Sequence, residues 1–271
     1  MILGCGVRMQ TAQCHGGAMT TMFHGSLACI GLGVIVEAHL TPATRRLIAR
    51  SDVLFVANAD SATILALNKL HKDLRLLRRD HTEHCAALEI DDAIVESVLD
   101  EVRRGRHVTV AFLGHPNRAS RSARVLIRAA QQEGWHAIFE PAISVEDCLF
   151  ADVGIDISRY GCQHYDVLQI MKYRRSIDTS AYLLLWRFGE KELRSKPRRE
   201  LLLEVLAREY PLDHQMFSYI PAMFDAPFSF MRWVVGSLPS IEAHPLMAII
   251  IPPATDLLPD KLIDARLSLL E

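Results

Sequence analysis

Nowhere in these 271 residues does an apolar run approach the ~20 positions that a membrane-spanning helix requires, so no membrane span is expected. The opening MILGCGVRMQTAQCHGGAM also lacks the long apolar region of a secretory signal. Residues 1–25 read as a mobile leader or an over-long start ahead of the ordered chain. The six cysteines, Cys5, Cys14, Cys29, Cys85, Cys148 and Cys162, form no Cys-x-x-Cys pair and no dense cluster. That pattern argues against a disulfide framework and fits reduced thiols in a cytoplasmic protein. Neither sign of charge is in excess, with Lys+Arg 30 against Asp+Glu 32, so the basic stripe of a nucleic-acid partner is missing. Internal repeats and low-complexity tracts are absent too. What remains is a chain that is 50% hydrophobic, long enough to bury a sizeable core in one large or two modest domains.

The stretch from Phe112 to Asp156 organises the rest. Val108 to Leu113 is a short apolar, partly β-branched run, the pattern of a buried parallel strand, and it ends in Gly114-His115-Pro116-Asn117. An amphipathic helix follows, and then a second turn, Pro141-Ala142-Ile143-Ser144. Ser144 reads as a helix N-cap, with Asp147 three residues on in the place of the usual Glu or Gln of a capping box. Open α/β sheets hold ligands beyond the carboxyl ends of their strands, so both turns are expected to wall one ligand pocket. Periodicity alone fits equally well with two turns that only reverse the chain.

In chain order, Leu27 to Ile30 is the first strand and runs into Gly31-Leu32-Gly33, a candidate cofactor turn because glycine admits a ligand close to the backbone. No third glycine follows at dinucleotide spacing. Thr41 caps a helix that has Pro42 at its first position and runs to about Arg50; Asp52 to Val56 is the second strand. Ile64 to Leu70 is helical by pattern, Leu74 to Leu77 is a short strand or loop entry, and Ile90 to Arg104 is an amphipathic helix. The arginines Arg103, Arg104 and Arg106 suit a solvated helix C-terminus. His81, His84 and Cys85 are the residue types of a zinc site, but no second cluster completes a tetrahedron, and no metal is expected. Beyond the second turn, Tyr182 to Trp186 is a buried strand, Lys191 to Glu200 an exposed loop before a helix from Leu201 to Tyr210, and Phe217 to Ile220 and Met247 to Ile251 are the closing strands. The aromatic and Met-rich stretch from Met216 to Trp233 fits core and dimer packing better than a substrate wall. In the tail, Leu257, Leu258, Leu262, Ile263, Leu267 and Leu270 form an apolar face expected to pack on the body.

FLGHPN followed by AISVEDCLFADVGID resembles the S-adenosylmethionine-binding core of the tetrapyrrole methylase superfamily. More narrowly, it is similar to the peptide backbone α-N-methyltransferases of borosin biosynthesis, with their Gly-His-Pro-Gly turn and Ser-x-Glu-x-Cys-Leu-x-Ala-Asp helix. Ser144, Glu146, Cys148, Leu149, Ala151 and Asp152 match that helix, Asp156 falls in the following Gly-Ile-Asp, and Asn117 replaces the last glycine of the turn. The likeness runs on through Gly161 to Asp166, Leu183 to Trp186, Tyr210 to His214 and Ile251-Pro252-Pro253, covering roughly Ser26 to Thr255.

The resemblance implies an α/β fold of two lobes, residues 26–141 and 142–271, with the methyl donor in the cleft between them. It implies S-adenosylmethionine as donor, cradled by Gly114, His115, Pro116, Asn117, Ser144 and Val145, with Gly31 and Gly33 beside it. It also implies a homodimer and no metal. One region departs from the pattern: the tyrosines that surround the target amide in the peptide methyltransferases fall here on Arg78, His81 and Asp91, and their arginine on Ala87. An amide needs a base to take its proton and a cation or donor to stabilise its oxygen. His81 or Asp91 as base, Arg78 or Arg79 as cation, and Tyr165 as the next base are the candidates by substitution. The expected function is methylation of backbone amides in a separate precursor peptide supplied in trans. Methylation of a tetrapyrrole or another small molecule, and donor binding without turnover, are the alternatives.

Overall fold

The computed structural model describes residues 25–57, 59–77, 92–118, 121–189, 193–223 and 226–270. The apolar runs of the first half become β1 (Ser26–Gly31), β2 (Val53–Ala57), β3 (Leu74–Leu77), β4 (His107–Phe112) and β5 (His136–Glu140). They form one parallel sheet in the order β3-β2-β4-β1-β5. Strands covered on both faces must be apolar throughout, and alternate residues divide between two cores. Leu27, Cys29, Val108 and Val110 meet α4 (Asp92–Arg103) and α5 (Arg121–Gln132). Ala28, Ile30, Leu54 and Val56 meet α1 (Val36–His39), α2 (Pro42–Arg50) and α3 (Ser61–Asn68). Gly31 stands opposite Phe112, Phe112 opposite Ala57, and Ala57 opposite Leu77, so all these strands finish at one edge.

The second sheet is mixed. It contains β6 (Cys162–Asp166), β7 (Tyr182–Trp186), β8 (Gln215–Ile220), β9 (Ser229–Val234) and β10 (Ala248–Ile251), in the order β6-β7-β10-β8-β9. Only β6 and β7 run parallel. One face packs on α8 (Val167–Lys172), α9 (Lys196–Leu206) and a 3-10 helix (Val235–Ser240) through Leu183, Leu185, Met216 and Ile249. The other, with Leu184, Tyr219 and Ile250, packs on Leu149 of α6 (Val145–Val153). The short α7 (Ile157–Tyr160) leads from α6 into β6.

Three expectations change. α3 starts at Ser61, three residues before the apolar pattern, because the Asp60 carboxylate caps the Thr63 N–H at 2.7 Å. α9 starts at Lys196 inside the expected loop, with Pro197 in the first turn where its missing N–H costs nothing. The arginines at the end of α4 do stay partly solvated, with 36%, 62% and 42% of the Arg103, Arg104 and Arg106 side chains exposed, and they are ion-paired as well. Arg103 pairs with Glu96, Asp100 and Glu133, while Arg104, Arg106 and Arg75 all converge on Glu101, whose side chain is 5% exposed. The tail does form a helix, α10 (Lys261–Leu267), capped by Asp260, but its apolar side covers nothing among the described residues. Leu258, Leu262 and Leu270 are 91%, 70% and 84% exposed. A seven-residue helix joined through Pro252, Pro253 and Pro259 lies clear of the sheet instead of folding back on it.

Candidate functional site

Three turns meet at the carboxyl edge of the first sheet. Past β1 and β4 the chains continue to pair: Leu32 N–H donates to the Phe112 carbonyl at 2.8 Å, Gly33 N–H to that of Gly114 at 3.3 Å, and Gly114 N–H back to that of Gly33 at 2.9 Å. A Cβ on Gly31 would stand 2.2 Å from the Gly114 oxygen, 2.5 Å from the Ala142 Cβ and 2.9 Å from the Pro116 Cδ. The missing side chain of Gly31 is therefore what lets the three turns close on one another. Gly33 has φ +72°, and a Cβ there would strike His39, whose Nδ1 accepts from Val34 N–H and Ile35 N–H. Gly114, with φ +70°, differs from both: no atom lies within 4 Å of where its Cβ would be. It is the glycine of this group that offers bare backbone to open space.

The flanking residues are held from within the protein. His115 Nδ1 accepts from the Asn117 N–H at 3.2 Å, and Arg124 donates to the Asn117 backbone and side-chain oxygens. Ser144 is buried in the expected capping box: its N–H and hydroxyl both donate to Asp147 at 2.7 Å, and its oxygen accepts from the Asp147 N–H. These bonds fix the start of α6 and leave Val145 as its first residue. Pro116 and Ala142 both close on Gly31, so the first and second turns pack side by side at the sheet edge.

Beside these turns lies a cluster that sequence reasoning did not single out. Arg118, two residues past Pro116, makes an ion pair with Glu146, the second residue of α6. Its guanidinium carbon sits 4.4 Å from the Trp186 ring centroid. His164 places Nδ1 3.1 Å from the other Glu146 oxygen and lies parallel to Trp186, centroids 6.4 Å apart at 5°. The Trp186 indole N–H also points at His164 Nδ1, at 3.3 Å. One nitrogen cannot donate to Glu146 and accept from Trp186 together, so the two contacts belong to different tautomers. Burial lowers the His164 pKa, and the Arg118 charge acts the same way. Burial also draws down the Arg118 pKa, against the attraction of Asp147 and Cys162; the Glu146 carboxylate supplies the counter-charge that keeps it an ion. Burial pushes the Cys162 thiol up to about 11, so it is not a thiolate nucleophile at neutral pH.

Alternation along β6 decides which side chain reaches this cluster. His164 faces α6, whereas Tyr165 packs among Leu183, Leu185 and Val167 on the far face, with Arg175 against its ring. Strand parity was the signal available, once Leu184 was known to face α6. Arg78, Arg79, His81 and Asp91, like His84, Cys85 and Ala87, lie outside the described residues. Leu77, the last described residue before them, ends β3 at the same sheet edge. A cavity of about 580 Å³ lies between β3 and α4, lined by Phe55, Arg75, Leu77, Ile94 and Glu101. None of the turn residues lines it, and it holds the structural ion pairs of Glu101, so the turns carry the stronger case for a ligand site. No group of three or more metal-ligating side chains occurs among the described residues. No helix among them is long and apolar enough to cross a membrane.

Comparison with known proteins accords with this geometry. The methyltransferase and type I borosin cyclic peptide precursor of Coprinopsis marcescibilis is 30% identical over 255 residues, spanning 90% of this chain and 64% of that protein. The corresponding protein of Mycena rosella is 30% identical over 210 residues, 73% of this chain and 51% of that one. The chain thus spans only about half to two thirds of the length of these relatives. The crystal structure of uroporphyrin-III-C-methyltransferase from Thermus thermophilus superposes with TM-score 0.64 at 16% identity, over 85% of this chain and 93% of that one, a likeness of fold. The model for Tetrapyrrole (Corrin/Porphyrin) Methylases matches residues 26–216, a span that contains all three turns and the Arg118 cluster. On that match over most of its length, this chain, built of two five-stranded sheets, belongs to the tetrapyrrole methylase family.

Proposed function

We propose that this protein is an S-adenosylmethionine-dependent methyltransferase that N-methylates backbone amides of a separate precursor peptide. The observation that carries the donor site is the open face of Gly114 beside two turns locked by Gly31 and by the Ser144 capping box. Members of the family use S-adenosylmethionine as methyl donor, and a wall of bare backbone at the carboxyl ends of parallel strands suits a nucleoside-containing ligand. Gly114, His115, Pro116, Asn117, Ser144 and Val145 would hold it, with Gly31 and Gly33 closing the floor and the lobe boundary at 141/142 falling between the two walls. Ser144 acts by shaping backbone, since its N–H and hydroxyl are engaged with Asp147, and the Asn117 side-chain oxygen is likewise taken up by Arg124.

The donor supplies an electrophilic methyl group; the chain's part is alignment, exclusion of water and removal of the acceptor's proton. His81, Asp91, Arg78, Arg79 and Tyr165 are the base and cation candidates drawn from sequence position. The peptide acceptor rests on the relatives, whose names couple a methyltransferase to a ribosomally synthesized peptide precursor in one chain. Supply in trans is the part of this reading that the relatives, whose names place enzyme and precursor in one chain, do not share. The reading includes a cytoplasmic homodimer, which the unpaired cysteines among the described residues, Cys29, Cys148 and Cys162, and the exposed Phe230, Met231 and Val234 of β9 favour.

Intact and tandem mass spectrometry after incubation with S-adenosylmethionine tests the reading. The purified chain is assayed alone, with short apolar peptides and with uroporphyrinogen III. Methyl gains on backbone nitrogens of an added peptide are expected. Gains within Pro259 to Glu271 would move the substrate into cis, gains on the tetrapyrrole would replace the peptide reading, and donor binding without transfer would leave a binding protein.

A further inference from the structure

We infer that His164, oriented by Glu146, accepts the acceptor's proton during methyl transfer, with Arg118 and Trp186 holding the pair in place. The inference rests on the methyltransferase reading above and adds to it the residue that moves the proton.

Three features set His164 apart from the other histidines of the described chain. First, its ring is held by three neighbours. Trp186 stacks on one face, the Phe150 ring meets it edge-on at 6.4 Å and 88°, and Glu146 lies 3.1 Å from Nδ1. A ring held in this way leaves Nε2 to point along one direction, the requirement for a base that must meet a proton in line. Second, its neighbours bind it to both walls of the candidate donor space. Glu146 follows Val145 at the start of α6, and Arg118 follows the Gly114 to Asn117 turn, so any shift of either turn is transmitted to the pair. Third, the charge balance suits a base. With a proton on Nδ1 donated to Glu146, Nε2 carries the lone pair. The lowered pKa keeps the ring neutral at neutral pH, and the Glu146 carboxylate faces the imidazolium that forms when the ring takes up a proton. By contrast, His39 accepts two backbone N–H bonds, and His115 one, through Nδ1 within the turns themselves.

The step balances without a further reactant. The amide nitrogen bonds to the methyl carbon, the carbon–sulfur bond breaks with its electron pair passing to sulfur, and the amide proton passes to His164 Nε2. The products are an N-methyl amide, a neutral thioether and an imidazolium that later releases its proton to solvent. Charge is conserved, since one sulfonium is consumed as one imidazolium appears.

The groups that face His164 fix the pH behaviour. Glu146 from α6 favours its protonation; Arg118 from the turn after β4 opposes it, itself attracted by Asp147 and Cys162; Trp186 and Phe150 carry no charge. A base must be neutral to act, so kcat falls as pH drops through the His164 value, which lies below the ordinary 6.5. Glu146→Gln removes the favouring charge and should move that limb to lower pH; Arg118→Gln should move it upward.

The test measures kcat against pH for the full chain, using S-adenosylmethionine and the peptide that the mass-spectrometric assay shows to be methylated, alongside a histidine NMR titration. Calorimetry with S-adenosylmethionine reports whether the donor still binds. His164→Asn should lower kcat by about a hundredfold or more, in the range of general bases, and erase the acid limb, with donor affinity within about threefold of wild type. The limb shifts in Glu146→Gln and Arg118→Gln should match the shifts of the His164 resonance. A wild-type-like profile in His164→Asn, or loss of the limb in His81→Phe or Asp91→Asn instead, would overturn the inference while leaving the methyltransferase reading intact. Absence of any methyl transfer by the wild type would overturn both.

Discussion

At the scale of single residues, glycines of similar backbone position serve different ends. Gly31 and Gly33 are glycine because neighbouring protein atoms fill the place of a side chain, whereas Gly114 combines φ +70° with open space. Replacing Gly114 by alanine should cost about 1–2 kcal/mol of stability from the left-handed conformation alone. Gly114→Val should abolish donor binding in calorimetry while circular dichroism stays native; unchanged affinity would remove the turn from the site. Tyr219 shows the opposite kind of constraint. It is buried, its hydroxyl donates to Asp152 at 2.7 Å, and burial followed by the Asp152 bond raises its pKa above the ordinary 10. The folded state therefore holds the phenol proton more tightly than the unfolded chain does. The stabilisation is complete below pH 10 and is lost as pH rises beyond it. Urea titrations across that range should show stability falling in the wild type and a flatter dependence in Tyr219→Phe, whose cost at neutral pH should be about 0.5–1.5 kcal/mol, the net worth of one hydrogen bond, because Asp152 is exposed and water can take the lost place.

At the scale of elements, α6 joins the two sheets. Its N-terminus is set by Ser144 and Asp147, its middle is pinned by Leu149 in the second core, and its Asp152 reaches Tyr219 of β8. Ser144→Ala removes the cap and should cost about 1 kcal/mol in chemical denaturation, with Ser144→Thr close to wild type. Because the same cap aims Val145 and Glu146, the alanine variant should also weaken donor binding; a loss of stability with full affinity would make Ser144 a structural cap alone. The parallel strands, the α2 cap and the α6 capping box were legible in sequence because each depends on local chemistry: apolar runs, Thr41 with Pro42, Ser144 with Asp147. The start of α9 was misread because Pro197 suggested a loop, although a first-turn proline begins a helix equally well. The Arg118 to His164 cluster was hidden for another reason. It draws on a turn, a helix and two strands more than sixty residues apart at the extremes, and only the pairing of β6 with β7 brings His164 and Trp186 to one face.

At the scale of the whole molecule, a parallel sheet supplies an edge of strand ends and a mixed sheet packs α6 and its cluster beside it. The tail stands outside this arrangement, with Leu258 and Leu270 almost wholly exposed. Removing residues 257–271 should therefore change the unfolding free energy of the isolated chain by no more than about 0.5 kcal/mol. A larger loss that grows with protein concentration would show that the tail is buried against a second copy. The central claim concerns where the donor sits. A crystal structure of the protein soaked with S-adenosylhomocysteine tests it most directly. The account predicts density along the Gly114 to Asn117 backbone and the Ser144–Val145 start of α6, on the side where Gly114 is open. Density in the cavity between β3 and α4, against Phe55 and Arg75, with the three turns unoccupied, would contradict it.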